Sequence, residues 1–175
     1  MITIDGGTGT ILHNGTSINS GNVVQRKYQQ ITSTNDLTSS GAFHELSTDL
    51  RIAFTPKFAN STLTLEFFAS FYYPNSTQLQ YCKFYDVTNS STVEEPPSAG
   101  SRDRVHWVNR NGQFDANDAD SVNMMIFTAA GSTSARTYTI YHRTEAATAR
   151  FLRSDGDAAA LTTMPAVFSV TEIAA

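Results

Sequence analysis

Thr62-Leu63-Thr64-Leu65-Glu66-Phe67-Phe68-Ala69-Ser70-Phe71-Tyr72 is the stretch on which the fold class turns. Leu63, Leu65, Phe67, Ala69 and Phe71 fall on every second residue, and Thr62, Thr64, Glu66, Phe68, Ser70 and Tyr72 fill the places between. Alternate residues of a strand point to opposite faces, so this spacing gives one fully apolar face. On a helix the same apolar residues would be spread around the whole circumference.

Comparable period-two runs cover 46–54, 79–87, 105–108, 122–128, 136–142, 148–153 and 166–173. Turn-forming residues separate them: Pro74-Asn75-Ser76, the run 94–100, Asn111-Gly112, Gly131-Ser132 and Asp155-Gly156. Short strands at this spacing, without helical runs between them, predict an all-β antiparallel sandwich of about eight to ten strands, with a jelly roll as the preferred arrangement. A chain of 175 residues suffices for one such core. The domain is placed at 22–175. Residues 1–21 read as an N-terminal β-prone arm in which Ile2, Ile4, Ile11 and Leu12 flank a Gly/Thr centre.

Charged residues make up only 16% of the chain, against roughly 25% in ordinary soluble domains, so Thr, Ser and Asn must cover most of the surface. A net charge of -4 argues against nucleic acid or an anionic membrane as partner, since both demand clustered Lys and Arg. No apolar run reaches the ~20 residues of a membrane-spanning helix, and the first residues lack a signal-peptide pattern. Synthesis in a host cytoplasm is expected. Cys82, the single cysteine, has no partner for a disulfide and reads as a buried strand residue.

No phosphate-binding loop, nucleophile elbow or helical pair of zinc-binding histidines occurs, and His13, His44, His106 and His142 are widely spaced. No enzymatic activity, catalytic residue, cofactor or metal is expected. Asp115, Asp118, Asp120, Asp155 and Asp157 are oxygen-rich loop residues of the kind that hold calcium, but Ala119 breaks the EF-hand pattern, and capped turns explain them more simply.

Two groups invite partners. A sandwich strand buries one face, yet Phe68 and Tyr72 oppose the Leu63–Phe71 face, Met125 and Phe127 oppose Val122, Met124 and Ile126, and Tyr141 opposes Tyr138 and Ile140. If these second faces share one sheet, they make a patch that identical copies would cover, so a homo-oligomer is expected. Trp107, flanked by Arg102, Arg104 and Arg110, is the second group and a candidate recognition surface.

The segments Val23-Val24-Gln25, Leu50-Arg51-Ile52-Ala53-Phe54-Thr55-Pro56 with Ser61-Thr62-Leu63-Thr64-Leu65-Glu66, and Pro165-Ala166-Val167-Phe168-Ser169-Val170-Thr171-Glu172-Ile173 follow one another in an order that resembles bacteriophage virion surface proteins. The resemblance spans roughly 22–173. It implies a trimeric, tumour-necrosis-factor-like jelly roll used as a capsid decoration or cement protein, a head fibre or a tail-fibre tip. Partners would be two further copies and the major capsid protein, or a host glycan or receptor for a fibre tip. With Met1 at its start and neither shaft nor heptad repeat, the chain fits the decoration protein on the virion surface better than the fibre tip.

Overall fold

Alternation with β-branched and aromatic residues produces strands wherever the sequence shows it. The computed structural model describes residues 2–5, 10–13, 16–17, 21–32, 35–38, 41–72, 78–111, 119–144, 148–151 and 165–175. Within them the strands are β1 (Ile2–Asp5), β2 (Thr10–His13), β3 (Thr16–Ser17), β4 (Val23–Ile31), β5 (Asn35–Thr38), β6 (His44–Glu45), β7 (Ile52–Phe54) and β8 (Thr62–Tyr72). They continue as β9 (Gln78–Asp86), β10 (Ser91–Thr92), β11 (Trp107–Asn111), β12 (Ala119–Ala129), β13 (Arg136–Thr144), β14 (Thr148–Phe151) and β15 (Ala166–Ile173). The described residues contain no α-helix.

Every pairing is antiparallel. One sheet holds β8 between β12 on one side and β15 with β14 on the other, and β4 and β5 lie beyond these. The second sheet holds β9 and β13 side by side, with β10 and β11 outside β9 and with β6 and β7 outside β13. When strands that continue one another are joined, eight lanes result, and the first pairs the eighth, the second the seventh, the third the sixth and the fourth the fifth. That is a long antiparallel hairpin rolled into two sheets, a jelly roll. Strands β1, β2 and β3 form a separate three-stranded sheet in which Ile4 stands opposite Ile11 and Ile2 opposite His13.

Between the large sheets lies the core. Leu63, Leu65, Phe67, Ala69 and Phe71 of β8 meet Phe84 and Cys82 of β9, Tyr138 and Ile140 of β13, and Phe168 and Val170 of β15, all essentially without solvent exposure. Phe84 stacks on Phe168 across the two sheets at 5.9 Å between ring centroids, and Phe71 meets Phe151 at 5.3 Å. Each fully buried aromatic or aliphatic side chain of this kind contributes about 1.5–3 kcal/mol. Cys82 is buried as expected, and burial pushes its thiol pKa up, which leaves it inert.

The run 46–54 departs from a single strand. Ser47 caps a 3-10 turn at Thr48–Leu50 by accepting a hydrogen bond from the Asp49 N–H, because a short hydroxyl followed by Thr-Asp competes with strand pairing. Leu46 and Leu50 both still reach the core, which is why the apolar alternation survives the break. Strand β11 begins at Trp107 rather than at Val105, and β5 carries too few apolar residues to announce itself in the sequence.

The segments that carried the family resemblance converge at one end of the sandwich. Glu172 of β15 is fully buried. Its carboxylate accepts from Lys57 N–H (2.9 Å), Phe58 N–H (2.9 Å), the Ser61 hydroxyl (2.7 Å) and the Gln25 side-chain amide (2.6 Å). Gln25 spends its other N–H on the Thr55 carbonyl at 2.7 Å. Burial acts on this carboxyl most strongly and would raise its pKa, but the four donors together outweigh it and hold the group below its ordinary range. The Thr-Pro corner, the Ser-rich turn, the opening strand and the closing Glu-Ile are thus one polar knot.

Candidate functional site

Outward residues of β8 and β12 are set by the same pleat that fills the core. Register places Phe68 opposite Asn123, Glu66 opposite Met125 and Thr64 opposite Phe127. On the other flank of β8, Val167 stands opposite Phe68 and Ser169 opposite Glu66, and beyond them Tyr28 of β4 pairs Ser169. The outer face of this sheet therefore carries Tyr28 (67% exposed), Phe68 (47%), Met125 (55%) and Phe127 (57%), together with half-buried Val167. For large apolar side chains these exposures are high, and the group is continuous across four lanes.

A shallow groove of about 480 Å³ runs through the patch, walled by Phe68, Met125, Val167, Asn123, Arg26 and Glu66. Its polar floor is closed on itself. The Arg26 guanidinium donates to Glu66 at 3.3 Å and to Ser169 Oγ at 3.1 Å, and the Ser169 hydroxyl donates to the same Glu66 oxygen at 3.2 Å. With charge neutralised and hydrogen-bonding groups engaged, the groove offers an incoming ligand mostly apolar contact.

Tyr141 does not belong to this patch. It lies on β13, on the outer face of the other sheet, where it packs on Tyr85 at 4.0 Å between ring centroids. That face covers itself with cations laid on aromatic rings: the Lys83 ammonium sits 4.2 Å from the Phe43 ring centre and the Arg143 guanidinium 4.4 Å from that of Tyr81. Of the expected interface residues the structure brings Phe68, Met125 and Phe127 together, and the side chain of Tyr72 lies outside the described residues. Tyr28 and Val167 complete the patch. Periodicity missed them because β4 alternates polar with polar and Val167 follows the inward Ala166 without a contrast.

Trp107 faces inward. Its indole stacks on Phe71 at 6.4 Å and, partly buried, packs against the core. Arg102 is exposed, Arg104 pairs with Glu95 at 2.8 Å, and the Arg110 side chain lies outside the described residues. Asp115, Asp118, Asp155 and Asp157 lie outside the described residues as well, as do the side chains of Asp120 and of Ile2, Ile4, Ile11 and Leu12. Among the described residues no group of three or more His, Cys, Asp or Glu is placed to hold a metal ion.

Two histidines are built into the second sheet. His106 accepts from Phe84 N–H through Nδ1 at 3.0 Å, and its Nε2 lies 3.3 Å from the Glu94 carbonyl, an arrangement that needs the neutral ring. Burial lowers its pKa. His142 points into the sandwich opposite Cys82, and burial, followed by repulsion from His44, lowers its pKa to about 4.

No protein-family model matches the sequence, and a search of curated proteins finds no match. Among solved structures, the chain is similar to one from the Gx strain of infectious bursal disease virus at 14% identity and a TM-score of 0.43, covering 85% of this chain and 32% of that one. It is also similar to a structure from the Gt strain (10% identity, TM-score 0.44), covering 94% of this chain and 42% of that one. For the VP2 subviral particle of the same virus the identity is 9% and the TM-score 0.41, over 87% of this chain and 39% of that one. The chain thus spans 32–42% of the length of these three solved chains.

Proposed function

We propose that this chain is a structural protein of a bacteriophage particle, a capsid decoration or cement protein that forms trimers on the virion surface and stabilises the shell through the major capsid protein. The observation that carries this reading is the outer face of the β4-β15-β8-β12 sheet, where Tyr28, Phe68, Met125, Phe127 and Val167 lie side by side in solvent. Jelly rolls serve capsids, lectins and enzymes alike, so the fold does not choose among them. The apolar face does favour assembly, because a protein that acted alone would leave that area in water.

Trimers bound at symmetric positions of a shell act through many weak contacts at once, and such contacts hold capsid subunits together without any single strong bond. The β-prone arm holding Ile2, Ile4, Ile11 and Leu12 is assigned to the capsid, where an extended segment adds to an exposed sheet edge.

Purified protein added to phage particles that lack it tests this reading. Saturable binding with a rise in the temperature at which the shell ruptures is the expected result. Binding to host cells with no effect on the shell would replace it with a fibre-tip role. Binding to neither would remove both.

A further inference from the structure

We propose that His106 is an acid-released latch: its neutral ring holds the 93–106 loop against the edge of β9 and ties that loop, through Glu94, to β12 of the opposite sheet, and it lets go when the imidazole takes up a proton.

The edge of β9 has a gap. Strand β10 pairs with Tyr85 and Asp86 and strand β11 with residues 78–82, so Lys83 and Phe84 face neither strand. Two single backbone bonds, Val93 N–H to the Phe84 carbonyl and His106 N–H to the Cys82 carbonyl, each 3.1 Å, extend the ladder towards the gap from both ends. The N–H of fully buried Phe84 is left over, and a side chain satisfies it: His106 Nδ1 accepts from it at 3.0 Å, with the two rings 5.4 Å apart. A buried N–H without an acceptor is costly, so this bond fixes the loop in place. The other ring nitrogen, Nε2, lies 3.3 Å from the Glu94 carbonyl, and the Glu94 carboxylate accepts from the Thr128 hydroxyl of β12 at 2.7 Å. Phe84, His106, Glu94 and Thr128 thus form one chain of contacts from the edge of one sheet to the edge of the other. Glu94 has φ of +43° and Ser90, just before β10, φ of +52°. Side chains other than glycine keep such a backbone only where their surroundings hold it, so the contacts restrain a strained connection that is ready to move.

A proton on Nδ1 is incompatible with this arrangement, because it sets two N–H donors against each other where one donor and one acceptor met. The Nε2 contact survives in the charged ring, so His106 leaves β9 while still drawn to Glu94. The charged groups around the ring act in both directions. Lys83 of β9 repels an imidazolium, whereas the carbonyls of Glu94 and Val93 and the Glu94 carboxylate attract it. Glu95 pairs with Arg104 and Asp103 with Arg143, and these pairs act on Lys83. From the opposite sheet come Thr128, which bonds Glu94, and Phe168, which stacks on Phe84, and neither carries charge. Burial is the largest influence and keeps the ring's pKa below the ordinary histidine value. The closed loop therefore has the lower pKa. Closure is favoured at neutral pH and weakens as pH falls below that of a free imidazole, about 6.5.

Amide hydrogen exchange followed by NMR on the full chain at pH 7 and pH 5, corrected for the intrinsic pH dependence of exchange, tests the latch. In the wild type the opening that exposes the Phe84 and His106 amides is expected to rise by up to about 20-fold at pH 5, while the amides of β8 and β15 keep their protection. His106→Asn offers an amide oxygen near the place of Nδ1 and takes up no proton, so it should show little difference between the two pH values. His106→Ala should leave the Phe84 amide poorly protected at both. The wild-type comparison decides the matter even where a variant fails to fold. A rise at Phe84 of less than about threefold overturns the latch. An equal rise in His106→Asn overturns it as well, since the proton would then be taken up elsewhere. A rise shared by β8 and β15 would mark unfolding of the whole sandwich and likewise overturns a local release.

Discussion

At the scale of single residues, Glu172 is the position where the fold is most exposed to damage. Four donors from two separate segments end on its carboxylate, and removing it leaves them buried without an acceptor. Glu172→Ala is expected to cost about 3 kcal/mol in urea unfolding at fixed protein concentration, with an unchanged m-value. A loss under 1 kcal/mol would show that the knot is dispensable. Because the folded carboxyl sits below its ordinary range, its stabilisation is present above about pH 4 and is lost as pH falls through the lower folded value. His142 acts in a different window. It is neutral when folded, with a pKa of about 4, and takes up a proton near pH 6.5 when unfolded. Stability is therefore flat above about pH 6.5 and falls by about 3 kcal/mol between there and pH 4, with His106 adding to the slope. His142→Phe should flatten most of that decline, and an unchanged slope in the variant would place the acid sensitivity elsewhere. The segments that meet at Glu172 were visible in the sequence as weak motifs in a fixed order. Their meeting was not, because hydrogen bonds between residues up to 147 positions apart leave no local pattern.

At the scale of elements, strand alternation was legible wherever one face is buried and the other polar. Strands β8, β9, β13 and β15 follow from it to within two residues, and β12 begins three residues before its expected start. It failed where apolar spacing outlasts the strand, as between Leu46 and Leu50, and where both faces of an edge strand meet water, as in β4. Faces were harder than strands. Phe68, Met125, Phe127 and Tyr141 all read as surplus apolar residues, and only sheet order separates Tyr141, which stacks on Tyr85, from the others. Trp107 was equally ambiguous in sequence, because a Trp among arginines looks the same whether it faces out or, as here, lies on Phe71. The turn joining β12 to β13 yields a further prediction. Gly131 has φ of +66°, and Gly131→Ala should destabilise the protein by about 1 kcal/mol through backbone strain alone, read as a shift of the thermal midpoint without change in oligomeric state. The arm yields another. Among the described residues, strands β1 to β3 pair with one another and not with either large sheet, so deletion of 1–20 should leave the melting temperature of the free protein nearly unchanged and lower its occupancy on particles. Equal occupancy would show that the arm is no anchor, and unfolding of the truncated protein would assign it to the core.

At the scale of the whole molecule, one sandwich carries two contrasting outer faces. On one, Phe43, Tyr81, Lys83, Tyr85, Tyr141 and Arg143 pack on one another and leave Val108 of β11 exposed beside them, and the other holds Tyr28, Phe68, Met125 and Phe127 open to solvent. That asymmetry is what an assembling subunit needs: a face for its neighbours and a face for the outside. The proposed decoration role makes a quantitative demand that a fibre tip does not, since a protein that cements a shell must occupy its repeating lattice. Copy number per purified virion, measured by quantitative electrophoresis against the major capsid protein, is the most direct test. The account predicts hundreds of copies, in a fixed ratio to capsid subunits that corresponds to trimers. A few copies per particle, or none, would contradict it.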